Sequence, residues 1–124
     1  MGWLSRILGL EDTRAPTSGG RVFTVGIVGE SKRNRDGSSR QKAIKRCNDG
    51  ESIQLRPEPD NAYDGMAIAA YSQRDECLGY ISRDHNRWIG DKLKTGKIVD
   101  CRIHSIIGGG KGEHVGVLLR IEII

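Results

Sequence analysis

The chain has 124 residues, enough for one domain with a modest core, and is 36% hydrophobic but only 5% aromatic, so that core must be mainly aliphatic. Charged residues make up 29%, and no apolar run approaches the roughly 20 residues of a membrane-spanning helix, which argues against a membrane partner. The net charge of +4 is unevenly placed: residues 1–50 hold ten Lys and Arg against five Asp and Glu, whereas residues 51–124 hold ten against eleven.

Residues 1–20 read as a lead-in. Trp3, Leu4, Ile7 and Leu8 would share one helical face, so the stretch is either a short amphipathic helix for a partner or membrane surface or a mobile tail. Its apolar part is too short for a signal peptide, and Arg6 stands where a myristoylation motif needs Ser or Thr. Residues 21–124 form the barrel domain argued below.

"RVFTVGIVGE" alternates, with Phe23, Val25 and Ile27 on one side and Val22, Thr24, Gly26 and Val28 on the other, and predicts a first strand covered on both faces. A polar cationic loop, "SKRNRDGSSRQ", follows. Ser38 and Gln41 have capping-box spacing ahead of a short helix carrying Ala43, Ile44 and Cys47, which stops at Asn48-Asp49-Gly50. "ESIQLRPEP" predicts a strand with Ile53 and Leu55 inward. "GMAIAAYS" predicts another, with Met66, Ile68 and Ala70 on one face, joined through "QRDE" to a strand at "CLGYIS". Ser82 is a plausible N-cap for a helix over "RDHNRWIGDKLKTG", with Ile89 and Leu93 at i, i+4 and Trp88 beside them on the apolar side. "KIVDCRIHSII" puts Val99, Cys101, Ile103 and Ile107 on one face. After the turn "GGGKGEH", "VGVLLRIEII" points Val115, Val117, Leu119, Ile121 and Ile123 inward. The expected fold is therefore all-β with two short helices, a small six-stranded OB-like or SH3-like barrel.

Lys32, Arg33, Arg35, Arg40, Lys42, Lys45 and Arg46 are opposed nearby only by Asp36. Such a cluster suits a polyanion, and it also suits a solvated loop and helix face. Cys47, Cys77 and Cys101 form no C-x-x-C pair, and His85, His104 and His114 complete no zinc spacing, so free thiols in a reducing cytoplasm are expected and no metal or cofactor. "GGGKG" lacks P-loop spacing and a following helix, and no second carboxylate cluster offers a two-metal site. We read binding rather than catalysis.

The stretch "PEPDNAYDGMAI" has two readings. Proline, Asp60, Asn61 and Gly65 make a tight turn. Tyr63-Asp64 within it is an aromatic beside a carboxylate, able to stack on a base while accepting from a sugar hydroxyl. Asp64 also suits an Asx-type turn onto Met66 or Ala67, and Tyr63 a ring folded back on Pro57 or Pro59. Val28-Gly29, then Glu58-Pro59, Asn61, Tyr63-Asp64 and Ala67-Ile68, then Gly79-Tyr80-Ile81 together resemble the HIRAN domain family, from about Val22 to Ile123. That family includes modules fused to DNA-remodelling helicases and free-standing bacterial and phage proteins. The resemblance implies an OB-like barrel that binds single-stranded DNA, especially a free 3′ end, in replication-fork or repair-related metabolism. A helicase or another replication or repair protein is the implied protein partner.

On that carry-over Tyr63 stacks at the terminal nucleotide, Asp64 accepts from the 3′ hydroxyl, Arg83 contacts phosphate and Tyr80 lines the groove. Lys32 and Arg33 are candidate phosphate contacts. After Gly29 the helicase-linked member of the family carries an Arg and aromatics; this chain has Glu30, Ser31, Lys32 and Arg33, which keep the cations but lose the aromatic. The alternative is a protein-interaction adaptor that uses the Trp3-Leu4-Ile7-Leu8 stub, with a DNA-processing nuclease as a third reading.

Overall fold

A computed structural model describes residues 20–124 of the chain; the expectations for the lead-in fall on residues outside this range. Six strands are present: β1 Arg21–Val28, β2 Gln54–Pro57, β3 Ile68–Tyr71, β4 Cys77–Ile81, β5 Ile98–Gly108 and β6 Val115–Ile123. Helix α1 spans Arg40–Lys45 and α2 spans Arg83–Lys94. All neighbouring strands are antiparallel, in the order β2-β3-β4-β1-β6-β5, and they curl into a half-barrel. Strand β1 makes the corner. Arg21 to Gly26 pair with β6, and Ile27 and Val28 pair with Ile81 and Tyr80 of β4.

The two ends of the sheet approach each other just before β2. The Ile53 N–H donates to Cys101 O at 2.9 Å and the Ile103 N–H to Glu51 O at 2.9 Å, so the chain entering β2 is bonded to β5. The barrel interior is aliphatic, as the composition requires: Ile44, Ile68, Leu78, Ile89, Ile103, Leu119 and Ile121 are buried. Trp88 packs against this core, its ring 5.1 Å from that of Phe23. The β6 alternation holds, and its second face is buried too: Leu118, Arg120 and Glu122 are covered, with Arg120 Nη1 3.2 Å from Glu122 Oε1.

Three local expectations are corrected. The first helix is capped by Ser39, whose hydroxyl accepts from Lys42 N at 3.2 Å, while Ser38 bonds Asp36 and Gln41 reaches away. Strand β3 starts at Ile68 and leaves Met66 exposed, because the Ala67 N–H donates to Asp64 O at 3.0 Å and holds residues 64–67 in a turn. In β5 the register slips between Ile98 and Asp100 and again between Ile103 and Ser105. Each extra residue reverses the inward face. Val99 is consequently exposed, and Ile106 rather than Ile107 packs on the core.

Helix α2 starts at Ser82 by backbone geometry alone: its carbonyl accepts from His85 and Asn86 N–H groups, and its hydroxyl makes no capping bond. The helix ends at Gly96, whose φ of 70° is the left-handed conformation that glycine adopts freely. Burial keeps the free thiols protonated, pushing Cys47 to about 11 and Cys101 to about 12.

Candidate functional site

The loop from Glu58 to Ala67 is built by two short polar side chains. Asn61 Oδ1 accepts from the N–H groups of Tyr63, at 2.9 Å, and Asp64, at 3.1 Å, which fixes the backbone at both residues. Its Nδ2 donates to Glu58 Oε1 at 3.0 Å. Asp64 Oδ1 accepts from Met66 N at 2.9 Å, so the turn reading of this carboxylate is realised. Its other oxygen faces helix α2, accepting from Asn86 Nδ2 at 2.9 Å, with Arg83 Nε 3.6 Å away. The Met66 N–H, the Asn86 amide and the Arg83 charge, in that order, hold the Asp64 carboxyl below its usual range.

Tyr63 does not fold back on the prolines. The residue is 89% exposed, the most exposed large apolar residue among the described residues, while its carbonyl accepts from Arg83 Nη2 at 3.0 Å. A rigid backbone thus presents a solvent-facing ring beside an ionised carboxylate and the mostly exposed Arg83 side chain.

Tyr80 joins this loop to the next. Its hydroxyl donates to Glu58 Oε1 at 2.8 Å, and the Arg40 guanidinium lies 5.1 Å from its ring centroid. Burial first, then the Glu58 bond, pushes the phenol up to about 12. Arg40, taken above as one of the exposed cations, is buried. Its Nε donates to Asn34 Oδ1 at 2.8 Å and its Nη1 to Gly29 O at 2.9 Å. Gly29 has φ of 74°, and a Cβ there would lie 3.1 Å from Arg40 Nη1. The Val28-Gly29 element of the motif is therefore a seat for Arg40. The basic loop is held further by Asn34 Nδ2, which donates to Cys77 O at 3.2 Å.

The cationic cluster divides accordingly. Lys32, Arg33 and Arg35 remain exposed on the loop after Gly29, with Arg33 Nη1 donating to Gly37 O at 2.8 Å. Arg46 faces elsewhere and pairs with Glu76 at 2.6 Å. Tyr63, Asp64, Arg83 and Tyr80 are joined in one bonded network through Asn61 and Glu58; Lys32 and Arg33 stand on the loop after Gly29 and make no hydrogen bond or ion pair with them. Glu30 brings a carboxylate to the start of that loop. Its Oε2 is buried and has no hydrogen-bond partner, while Gln41 Nε2 donates to its carbonyl at 2.9 Å.

Two network members escaped the sequence reading. Asn86 is 5% exposed, and its signal was a polar residue at i−3 from Ile89 on the helix's apolar stripe. Arg40 carried no signal beyond its place in a run of cations. Among the described residues no group of three or more His, Cys, Asp or Glu is placed to hold a metal ion, and no helix is long and apolar enough to cross a membrane.

Comparison with known proteins identifies the class. The HIRAN domain model matches residues 28–115, well over half of the chain, and the chain belongs to that family, a family of binding modules. Two solved structures share the fold. One is the HIRAN domain of human HLTF, with a TM-score of 0.61 and 14% identity over 82% of this chain and 74% of that one. The other is a structural-genomics protein from Lactobacillus plantarum, with a TM-score of 0.59 and 22% identity over 82% of this chain and 92% of that one. No curated protein matches the chain.

Proposed function

We propose that this HIRAN domain binds single-stranded DNA and captures its 3′ hydroxyl end. The observation that carries this reading is the pairing of an open Tyr63 ring with an Asp64 carboxylate kept ionised and oriented by Met66 N and Asn86. An ionised carboxylate offers about four acceptor positions, and these two bonds occupy one on each oxygen. Room remains for a hydroxyl donor. A terminal phosphate in its place would meet a like charge.

In this mechanism Tyr63 stacks on the terminal base and Asp64 accepts from the 3′ hydroxyl. Arg83, anchored on the Tyr63 carbonyl, neutralises the adjoining phosphate. Lys32 and Arg33 follow the backbone further along. Tyr80 acts mainly from behind, since its hydroxyl is committed to Glu58. With Glu30-Ser31 after Gly29, base stacking at the end rests on Tyr63 alone, and more of the affinity falls to phosphate contacts. A place in replication-fork or repair-related metabolism, alongside a helicase or similar partner, is part of this proposal and rests on the family resemblance alone.

The test is fluorescence anisotropy of a labelled oligonucleotide ending in a 3′ hydroxyl or a 3′ phosphate, titrated with wild type and Asp64→Ala. Tighter binding to the hydroxyl end, with the preference lost in the variant, is the expected result. Binding blind to the 3′ group would leave a general cationic barrel. No binding at low salt would overturn the DNA reading and favour a protein adaptor.

A further inference from the structure

The outer face of the β2–β3–β4 sheet carries, beside Tyr80, a pair of side chains that the end-capture site does not use, Arg56 and Tyr71. Residues facing each other across an antiparallel ladder share a face, and the register pairs Arg56 with Ala69 and Ala69 with Tyr80. Arg56 and Tyr80 therefore stand on one face, two strands apart, at about 10 Å between Cα atoms. Tyr71, two residues along β3 from Ala69, shares that face, and the Arg56 guanidinium lies 3.8 Å from its ring centroid.

The guanidinium is held on its edges as well. Its Nε donates to Gln54 Oε1 at 2.8 Å, and its Nη2 is paired with the Asp75 carboxylate. Asp75 sits at the β3–β4 turn with φ of 60°, the one positive value at a non-glycine position among the described residues. That conformation is uncommon for a residue with a side chain, and here it accompanies a carboxylate that locks Arg56 flat. One face of the guanidinium rests on Tyr71, its edges are bonded, and 39% of the side chain remains exposed. Its charge is already balanced by Asp75, so the group is poorly suited to hold a phosphate. A fixed guanidinium plane does suit a base, which stacks on arginine as it does on an aromatic ring.

We propose that Arg56 on Tyr71 is a second stacking platform, which takes a base upstream of the captured end as the strand crosses the sheet face past Tyr80. This rests on the single-strand reading above and extends it: the domain covers at least roughly four nucleotides, the lower end of what OB-type barrels span.

The test measures binding against length, with 3′-hydroxyl oligonucleotides of two to eight nucleotides titrated into wild type, Arg56→Lys and Tyr71→Leu. Lysine keeps the charge opposite Asp75 but removes the plane, and a thermal melt of each variant confirms folding. Wild type should gain about tenfold or more in affinity between two and six nucleotides, the value of one stacked base. Arg56→Lys should lose most of that gain, equally at low and high salt, and keep the 3′-hydroxyl preference of the shortest ligand. Tyr71→Leu should behave likewise. A wild-type curve flat beyond two nucleotides, or an Arg56→Lys curve that follows wild type, would overturn the platform and leave end capture standing. Failure to bind at any length would remove both.

Discussion

Replacing Tyr63 with alanine tests the proposed binding role with little effect on folding. The residue is 89% exposed, and its backbone is held independently of the ring, by Asn61 on the N–H and Arg83 on the carbonyl. Truncation removes no core contact, so stability should change by no more than about 0.5 kcal/mol. Stacking of one base contributes about 1–3 kcal/mol by alanine substitution. At about 1.4 kcal/mol per decade, Tyr63→Ala should weaken binding about 5- to 150-fold. No cation is removed, so the slope of log affinity against log salt should stay as in wild type. Tyr63→Phe should retain nearly all the affinity, because no described contact uses the hydroxyl. The assay is anisotropy at several salt concentrations, with a thermal melt alongside. Affinity unchanged within twofold would refute the stacking role. A large drop in melting temperature would refute the structural premise that the ring is free.

The remaining predictions concern charge. If Lys32 and Arg33 each neutralise one phosphate, replacing both with alanine should make the salt slope shallower by about 1.4, at about 0.7 per contact on a single strand; an unchanged slope would assign them to solvation. Asp64 titrates in the fold below 3.8, so its stabilising bonds are complete above that value and are lost as the pH falls through the folded pKa. Asn86→Ala should raise this pKa toward 3.8, as read by NMR titration of the Asp64 carboxyl, and should blunt the 3′-hydroxyl preference without abolishing binding. Glu30→Gln should tighten DNA binding by removing a negative charge from the start of the basic loop; weaker binding in the same titration would show that Glu30 accepts from the ligand. Glu122 is fully buried against Arg120, so Glu122→Gln should destabilise the fold by about 3–5 kcal/mol in urea unfolding, and a change below 1 would mean that the pair relaxes into water.

Much of the fold was legible because β1 and β6 alternate cleanly and α2 carries its apolar residues at helical spacing. A period-2 pattern encodes which face is buried, provided the ladder keeps its register. Strand β5 shows the limit: Val99 and Ile107 sit at the parity of Cys101 and Ile103, yet two slips turn them away from the core. A bulge is decided by how the strand must bend to follow β6, and its own residues carry little trace of that. The choice of Ser39 over Ser38 as the helix cap is similar. It depends on Gln41 being drawn off to Glu30 and Val115, contacts made across 11 and 74 residues of chain. At the candidate site the residues facing solvent were found through the motif, whereas Arg40 and Asn86, which hold them, were not. Their roles depend on partners distant in sequence, Gly29 and Tyr80 for one and Asp64 for the other.

One bonded network joins three short motifs that lie far apart in sequence. Val28-Gly29 frees a carbonyl and a glycine-sized space for Arg40, which lies against the Tyr80 ring. Tyr80 passes the constraint through its hydroxyl to Glu58, Glu58 to Asn61, and Asn61 to the backbone of Tyr63 and Asp64. Each member spends its polar atoms inward, on backbone or on the next member, and the network leaves the Tyr63 ring, the open acceptor positions of Asp64 and the Arg83 guanidinium turned toward solvent. Such a loop is ordered before any ligand arrives, so binding incurs little ordering cost. It follows that damage to the buried end of the chain should be felt at the exposed end. Tyr80→Phe removes only a hydroxyl 2.8 Å from Glu58, yet it should weaken binding by loosening the loop that carries Tyr63, and it should do so with the salt slope intact. A Tyr80→Phe variant that binds as wild type would show that Asn61 alone orders the loop.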